Sequence, residues 1–598
     1  MTTTATGPAP GATLTGATGT TGASKPTGAA ELRPAAIFSH RCVLQRRAPI
    51  PIFGTGAPGR TVVVQLTAGE SPDLLRSANG DATDSLIVTT TIGDDGRWCA
   101  YLPALEAGDG YQLTIRDHGD VTLVYQHVAI GEVWLAAGQS NIELELRNAD
   151  DAARAVADSA DPLLRFFNTP KSGHVDADLL RAEDASAWLA CGPETSGTMS
   201  AVAYWFAHRL RQTLGARVPV GIVDCYVGGT SISCWLDEPA LRSLPAGRGY
   251  LERYHAQVDG KTLPQMHRET DEWQRRFDAW NAAIAQAQAA EPGISWDTLN
   301  ARYGECPWPP PMTTFSQYHP TGPFHAMVER VAPYALAGVL WYQGEEDEPY
   351  CGEYRAMLGL LIERWRNLWG APLPFMVAQL PQWIAKADHC EGIDRMLWPV
   401  IREAQWDASQ TIPGVSTAVL MDCGEFNNIH PTDKRTPGER LADLALARVY
   451  DVTAARRPEA PTDAAMEPLE VDGPLVSGAV RADPHADAGT VRLRFAHADG
   501  LRFHGTTPGG SDPADDSPTS RTAANSGFAV AGADGAFHQA SAAIAADAPD
   551  CVDLRCPDVP HPIHARYGWF SWGPAPLVNA AGLPAVPFRD IRVAAPTD

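Results

Sequence analysis

The chain has 598 residues, 44% of them hydrophobic and 20% charged, with a formal net charge of −24. That length suffices for roughly two to four domains with sizeable cores. An acidic balance without a basic block argues against nucleic acid or an anionic membrane surface as a partner, and no apolar run is long enough to span a bilayer.

Residues 1–33 are rich in Thr, Gly, Ala and Pro and read as a disordered tail, with neither the basic nor the apolar region of a secretory signal. Eleven cysteines are scattered along the chain without zinc-ligand spacing, and Cys551 and Cys556 read as strand residues. Together these features lead us to expect a cytoplasmic protein.

Residues 34–130 are short alternating segments broken by turns, such as RTVVVQLTA, DSLIVTTTIGDDGRWCAYL and YQLTIRD. They predict a β-sandwich-like module. At Gly131 the pattern changes to strands alternating with helices, and it continues to residue 455. The expected order is strand 133–137, helix Ile142–Ala160, strand Leu163–Asn168, helix AVAYWFAHRLRQTLG and strand VPVGIVDCYVGG. Later come helix HAMVERVAPY, strand AGVLWYQGEEDE, helix YRAMLGLLIERWRNLWG, strand LPFMVAQL, helix LWPVIREAQWDASQ, strand STAVLMDCG and helix ERLADLALARVY. Such alternation predicts an α/β fold with a mostly parallel sheet covered by helices on both faces.

An insertion at about 237–324 holds a long helix (TDEWQRRFDAWNAAIAQAQAAE) and the Pro-rich stretch CPWPPPMTTF. It either shapes a substrate groove or buttresses the sheet. Residues 456–472 read as a linker, and 473–598 return to β character around the loop TTPGGSDPADDSPTSRTAANSG. Some of the seventeen tryptophans could stack on sugar rings, although each singly reads as a core residue.

Four distant points fall at strand ends in the α/β region: Gly138-Gln139-Ser140-Asn141, Gly228-Gly229-Thr230, Gln343-Gly344-Glu345, and His430 in Asn427-Asn428-Ile429-His430-Pro431. The carboxyl ends of parallel strands share one edge, so these points can meet. The arrangement suits acyl transfer, with Ser140 as nucleophile, His430 as general base and a Gly229 N–H for the oxyanion. The acidic run Glu345–Glu348 lacks oxygen-ligand spacing and reads as a solvated loop, so no metal is expected.

The segments GEVWLAAGQSN, VGGTSISCW, GVLWYQGEEDE and NNIHPTDKRTPGERLADLAL resemble the sialate O-acetylesterase family of SGNH-type carbohydrate esterases. IFSHRCVLQRRAPIPIFGTGAPG and RYGWFSWGPAPLVNAAGLPAVPFR resemble the family's terminal β modules, so the likeness covers most of the chain after residue 33. It implies an SGNH-hydrolase-like domain, Ser140 and His430 as catalytic pair, and an oxyanion hole of the Ser140 and Gly229 N–H groups with the Gln343 amide. The implied reaction removes an acetyl ester from an acetylated mono- or oligosaccharide through an acetyl-enzyme, with no cofactor. Gln139, Asn141 and Arg402 are the candidate substrate contacts, Arg402 being the cation that a sialic acid carboxylate would need.

One departure bears on catalysis. Asn428 stands where relatives usually have Asp two residues before the histidine. In serine proteases an Asp-to-Asn change in the orienting role lowers kcat by about 10⁴. Glu345, projecting from the same side of an extended segment as Gln343, is the expected substitute, with Asp422 and Glu425 as further candidates. The competing reading is a non-catalytic carbohydrate-binding protein with a decayed site.

Overall fold

Residues Val133–Ala137 are apolar without interruption because the strand that contains them lies between parallel neighbours and is covered on both faces. The computed structural model describes residues 31–69, 74–77, 79–117, 122–291, 294–456, 465–481, 489–504, 522–523 and 525–594. The central sheet comprises β1 (Thr122–Gly138), β2 (Asp161–Asn168), β3 (Trp188–Cys191), β4 (Val220–Tyr226), β5 (Gly338–Tyr342), β6 (Phe375–Ala378) and β7 (Val415–Ala418). Its order is β3-β2-β4-β1-β5-β6-β7. All pairings in that path are parallel except β2 with β3. The α/β class with a mostly parallel sheet therefore matches the sequence reading.

Helices α1 (Ser140–Glu143), α2 (Ala201–Leu214), α3 (Cys351–Trp369), α4 (Trp398–Thr411) and α5 (Arg435–Arg448) alternate with these strands. The start of α2 is set by Ser200, whose hydroxyl accepts the Ala203 N–H. The end of α3 is set by Gly370, in the left-handed conformation that glycine adopts without strain.

Two expected helices are different in fact. Ile142–Ala160 is divided into α1, a single 3₁₀ turn at Leu146–Asn148 and a short helix at Ala152–Ala157. The break lets the chain pair back, with the Leu146 N–H donating to Met199 O and the Ala201 N–H to Leu144 O. HAMVERVAPY is a π-helical turn at Phe324–Val328 followed by Glu329–Val331, after which Pro333 prevents continuation.

The first half of β1 pairs antiparallel with Gly108–Asp117 of the N-terminal β region and its second half is the centre of the parallel sheet. The division expected at residue 131 thus falls inside one strand, and a single apolar core runs from Leu32 to Leu446. In the insertion, the long helix spans Leu263–Ala290, capped by the Thr262 hydroxyl. The described residues between 475 and 592 form three further antiparallel sheets, of five, four and two strands, around a separate core that includes Leu493, Phe528 and Tyr567. The tail (1–30), the middle of the linker (457–464) and most of the Pro/Ser/Asp-rich loop (505–521) lie outside the described residues.

Candidate active site

The carboxyl ends of β1, β4 and β5 meet at one edge of the sheet. Gly138 closes β1 with φ +137, and a Cβ there would overlap the Tyr342 carbonyl oxygen of β5. Only glycine lets the two strand ends come this close. The chain then turns into α1, and Ser140 stands at its first position.

Ser140 and His430 are 290 residues apart, yet His430 Nε2 lies 2.8 Å from Ser140 Oγ. That is hydrogen-bond reach for a nucleophile and its base. Burial pushes the imidazole down to about 4, and the charge of Lys434 adds to the effect. The ring is therefore neutral at physiological pH and able to take a proton.

Among the described residues, neither the Ser140 nor the Gly229 N–H is donated to a protein acceptor. Gly229 has φ +72. A Cβ on neighbouring Gly228 would sit 3.3 Å from Ser140 Cβ, so this backbone lies against the nucleophile. Two undonated N–H groups beside a serine hydroxyl can receive the negative charge of a tetrahedral intermediate.

Other expected site residues have different work. Gln343 is fully buried, and its amide nitrogen faces Gln139 Oε1, Thr230 O and Asp347 Oδ2 at 3.1, 3.1 and 2.6 Å. With its hydrogens committed there, it does not supply the third oxyanion donor. Gln139 is buried as well, its Oε1 accepting the N–H groups of Gly344 and Glu346 at 3.3 and 3.2 Å. It ties the nucleophile turn to the end of β5 rather than meeting substrate.

Asn141 is likewise buried. Its amide donates to Glu345 Oε1 at 2.5 Å and to Ile429 O at 2.9 Å, and its oxygen accepts from Lys434 Nζ at 2.6 Å. Glu345 therefore holds Asn141 and does not orient His430. Burial raises the Glu345 carboxyl above its ordinary value and lowers the Lys434 ammonium to about 8.

Arg402 is fully buried, donating to the Phe570 carbonyl at the contact with the C-terminal sheets. It cannot reach a substrate carboxylate. Asp422 forms a two-pronged ion pair with Arg440, both contacts at 2.6 Å. The acidic run is not a solvated loop throughout. Glu345 and Asp347 are buried, and Asp347 accepts from Ile232 N, Tyr250 Oη and Gln343 Nε2.

Asn428 holds the histidine by its backbone rather than by its ring. Its Oδ1 accepts the His430 N–H at 3.0 Å, while its Nδ2 donates to Glu425 Oε2 at 2.8 Å. Glu425 in turn accepts from the Thr432 hydroxyl at 2.7 Å. Among the described residues, no carboxylate hydrogen-bonds the second ring nitrogen of His430. The arrangement is a Ser–His dyad on a tethered loop.

Two features escaped the sequence reading. Glu143, three residues beyond Ser140, accepts the Gly228 N–H and pairs with Lys171. It fixes the oxyanion loop against the nucleophile helix, and only the one-turn spacing from Ser140 could have signalled it. Lys434 lies in the segment HPTDK, whose histidine drew all the attention. Glu470, Asp472 and His497 bring possible metal-ligand atoms within 4.8 Å of one another, but Asp472 is already paired with Arg448.

Comparison with known proteins finds esterases in both fold and sequence. In fold, the chain matches a solved carbohydrate acetylesterase from Xanthomonas citri with a TM-score of 0.64 and 26% identity, over 93% of this chain and 98% of that one. In sequence, it is 25% identical over 442 residues to the human sialate O-acetylesterase, covering 70% of this chain and 71% of the relative. The mouse sialate O-acetylesterase is 25% identical over 429 residues, with 67% and 70% covered. No protein-family profile matches the chain. The class defined by fold and sequence is that of the carbohydrate esterases. Within it, the resemblance read from the motifs is borne out: the chain is a homologue of the sialate O-acetylesterases.

Proposed function

We propose that this protein is a carbohydrate O-acetylesterase of the SGNH type that works through a Ser140 acetyl-enzyme. The observation that carries the proposal is the 2.8 Å contact between Ser140 Oγ and His430 Nε2, beside two undonated backbone N–H groups. His430 takes the Ser140 proton as Oγ attacks the ester carbonyl. The Ser140 and Gly229 N–H groups hold the oxyanion. His430 then gives the proton to the departing sugar oxygen, and a water activated by the same imidazole releases acetate.

With no carboxylate on the second ring nitrogen, the imidazolium formed in each step is less stabilised than in a triad. Support for a sugar acetyl ester comes from the names of the homologous esterases. Arg402, the cation expected to meet a sialic acid carboxylate, is fully buried, which favours neutral acetylated oligosaccharides over O-acetylated sialic acid. No helix among the described residues is long and apolar enough to cross a membrane.

The test is acetate release from acetylated xylo-oligosaccharides and from O-acetylated sialic acid, by wild type and Ser140→Ala. Release that depends on Ser140, and that is faster from the neutral sugar, is expected. Equal background rates for the two proteins would overturn the enzyme in favour of a carbohydrate-binding protein.

A further inference from the structure

The Pro-rich stretch of the insertion ends beside the nucleophile. A Cβ placed on Gly229 would overlap Trp308 Cζ2, lie 2.8 Å from Trp308 Cη2 and lie 3.5 Å from Tyr318 Cε1. The indole is thus seated directly on the backbone that carries the expected oxyanion donor. The Tyr318 ring meets it edge-on, with centroids 5.2 Å apart and an interplanar angle of 87°.

This wall is anchored from several sides. The Trp273 indole of the long insertion helix donates to Pro307 O at 2.5 Å, next to Trp308. The Trp308 N–H donates to Cys306 O at 2.7 Å. Beyond Tyr318, His319 Nε2 lies 3.0 Å from Gly173 O, and the Thr321 N–H donates to Ser233 O at 3.1 Å. The strap from Cys306 to Thr321 is therefore fixed to both the insertion helix and the catalytic sheet.

An ester carbonyl attacked by Ser140 has three substituents to place. Its oxygen goes to the N–H groups of Ser140 and Gly229. Its leaving oxygen must face His430, which returns the proton. The acyl chain takes the third direction, and the aromatic pair packed on Gly229 is the wall we assign to it. We infer that Trp308, braced by Tyr318, is the wall that limits the acyl group to acetyl. The inference rests on the esterase reading above. It gives the insertion a part in specificity rather than only in buttressing the sheet. A fixed aromatic wall rejects a longer chain by overlap, and each methylene excluded from such a pocket is worth about 10-fold or more in discrimination.

The experiment measures kcat/KM for p-nitrophenyl acetate and p-nitrophenyl butyrate, and KM for acetylated xylo-oligosaccharides, with wild type, Trp308→Ala, Trp308→Phe and Ser140→Ala. Wild type is expected to prefer acetate strongly. Trp308→Ala should raise the butyrate-to-acetate ratio by about 10-fold or more, with Trp308→Phe in between. An unchanged ratio in both Trp308 variants, while they keep Ser140-dependent acetate hydrolysis, would overturn the wall. So would a change confined to KM for acetylated sugars, because Trp308 would then serve the leaving group. If the alanine variant misfolds, the phenylalanine variant decides the outcome by the same ratio. Wild type without Ser140-dependent release from either ester would instead overturn the esterase reading, and the wall with it.

Discussion

The two halves of the dyad are held in different ways. Ser140 follows a strand hydrogen-bonded on both sides, and its turn is tied by Gln139 to the end of β5 and by Asn141 to Glu345 and Lys434. His430 stands on a loop whose tether is neutral at the point of contact, through Asn428 to Glu425. Buried charge has been gathered behind Ser140, and among the described residues no carboxylate hydrogen-bonds the imidazole ring. The fold thus fixes Ser140 firmly and keeps His430 neutral, and in the proposed mechanism the imidazolium forms without a carboxylate partner.

The largest effect that could break this comparison comes from the dyad itself. Ser140→Ala should lower kcat for acetyl-ester hydrolysis by about 10⁴ or more, and adding His430→Ala should lower it little further, because the two act as a unit. Steady-state kinetics on the single and double variants check this; additive losses would mean that the residues do not work together.

Next in size is Lys434→Met, which removes the cation behind Asn141 and leaves Glu345 buried without it. Losing one partner of a buried charge network costs about 3 kcal/mol or more, so a clear fall in Tm is expected in thermal unfolding. An unchanged Tm would show that the network does not hold the nucleophile turn.

The histidine side is sharpened by Asn428→Asp. A carboxylate at 428 would keep an acceptor for the His430 N–H but would face Glu425 in place of the present amide donor. Activity should therefore stay level or fall by up to about 10-fold, whereas a large gain would show that the ring is within reach of residue 428.

The smallest effect is in the pH profile. Burial and Lys434 hold His430 at about 4, so kcat/KM should be flat down to about pH 5 and fall as pH drops through about 4, the value of His430 in the free enzyme. Lys434→Met should move that acid limb upward, since the ammonium lowers the imidazole value. A wild-type limb near the ordinary histidine value of about 6.5 would contradict the burial argument.

Most of the sheet was legible in the sequence because strands buried on both faces leave apolar runs, as in WLAA and GVLWY. The broken helix after Ser140 was not, because its interruption comes from long-range pairing of Leu144 and Leu146 with Ala201 and Met199 that no local pattern encodes. The same holds at the site. Strand-end motifs pointed to Ser140, Gly229 and His430, but the targets of Gln343, Glu345 and Arg402 depend on the direction each buried side chain takes. Residue type and spacing cannot distinguish a carboxylate that meets an imidazole from one that meets an amide next door. Trp308 was visible only as a residue in a Pro-rich stretch, since its seat on Gly229 is made by contact across 79 residues.

The central claim is that Ser140 carries the acyl group during turnover, and rapid quenching tests it most directly. Wild type mixed with p-nitrophenyl acetate is stopped in acid within the first turnover, digested and mapped by mass spectrometry. The account predicts one acetyl group on the peptide containing Ser140, absent from Ser140→Ala. Acetate released at the wild-type rate with no label on that peptide, or with the same rate in Ser140→Ala, would contradict it.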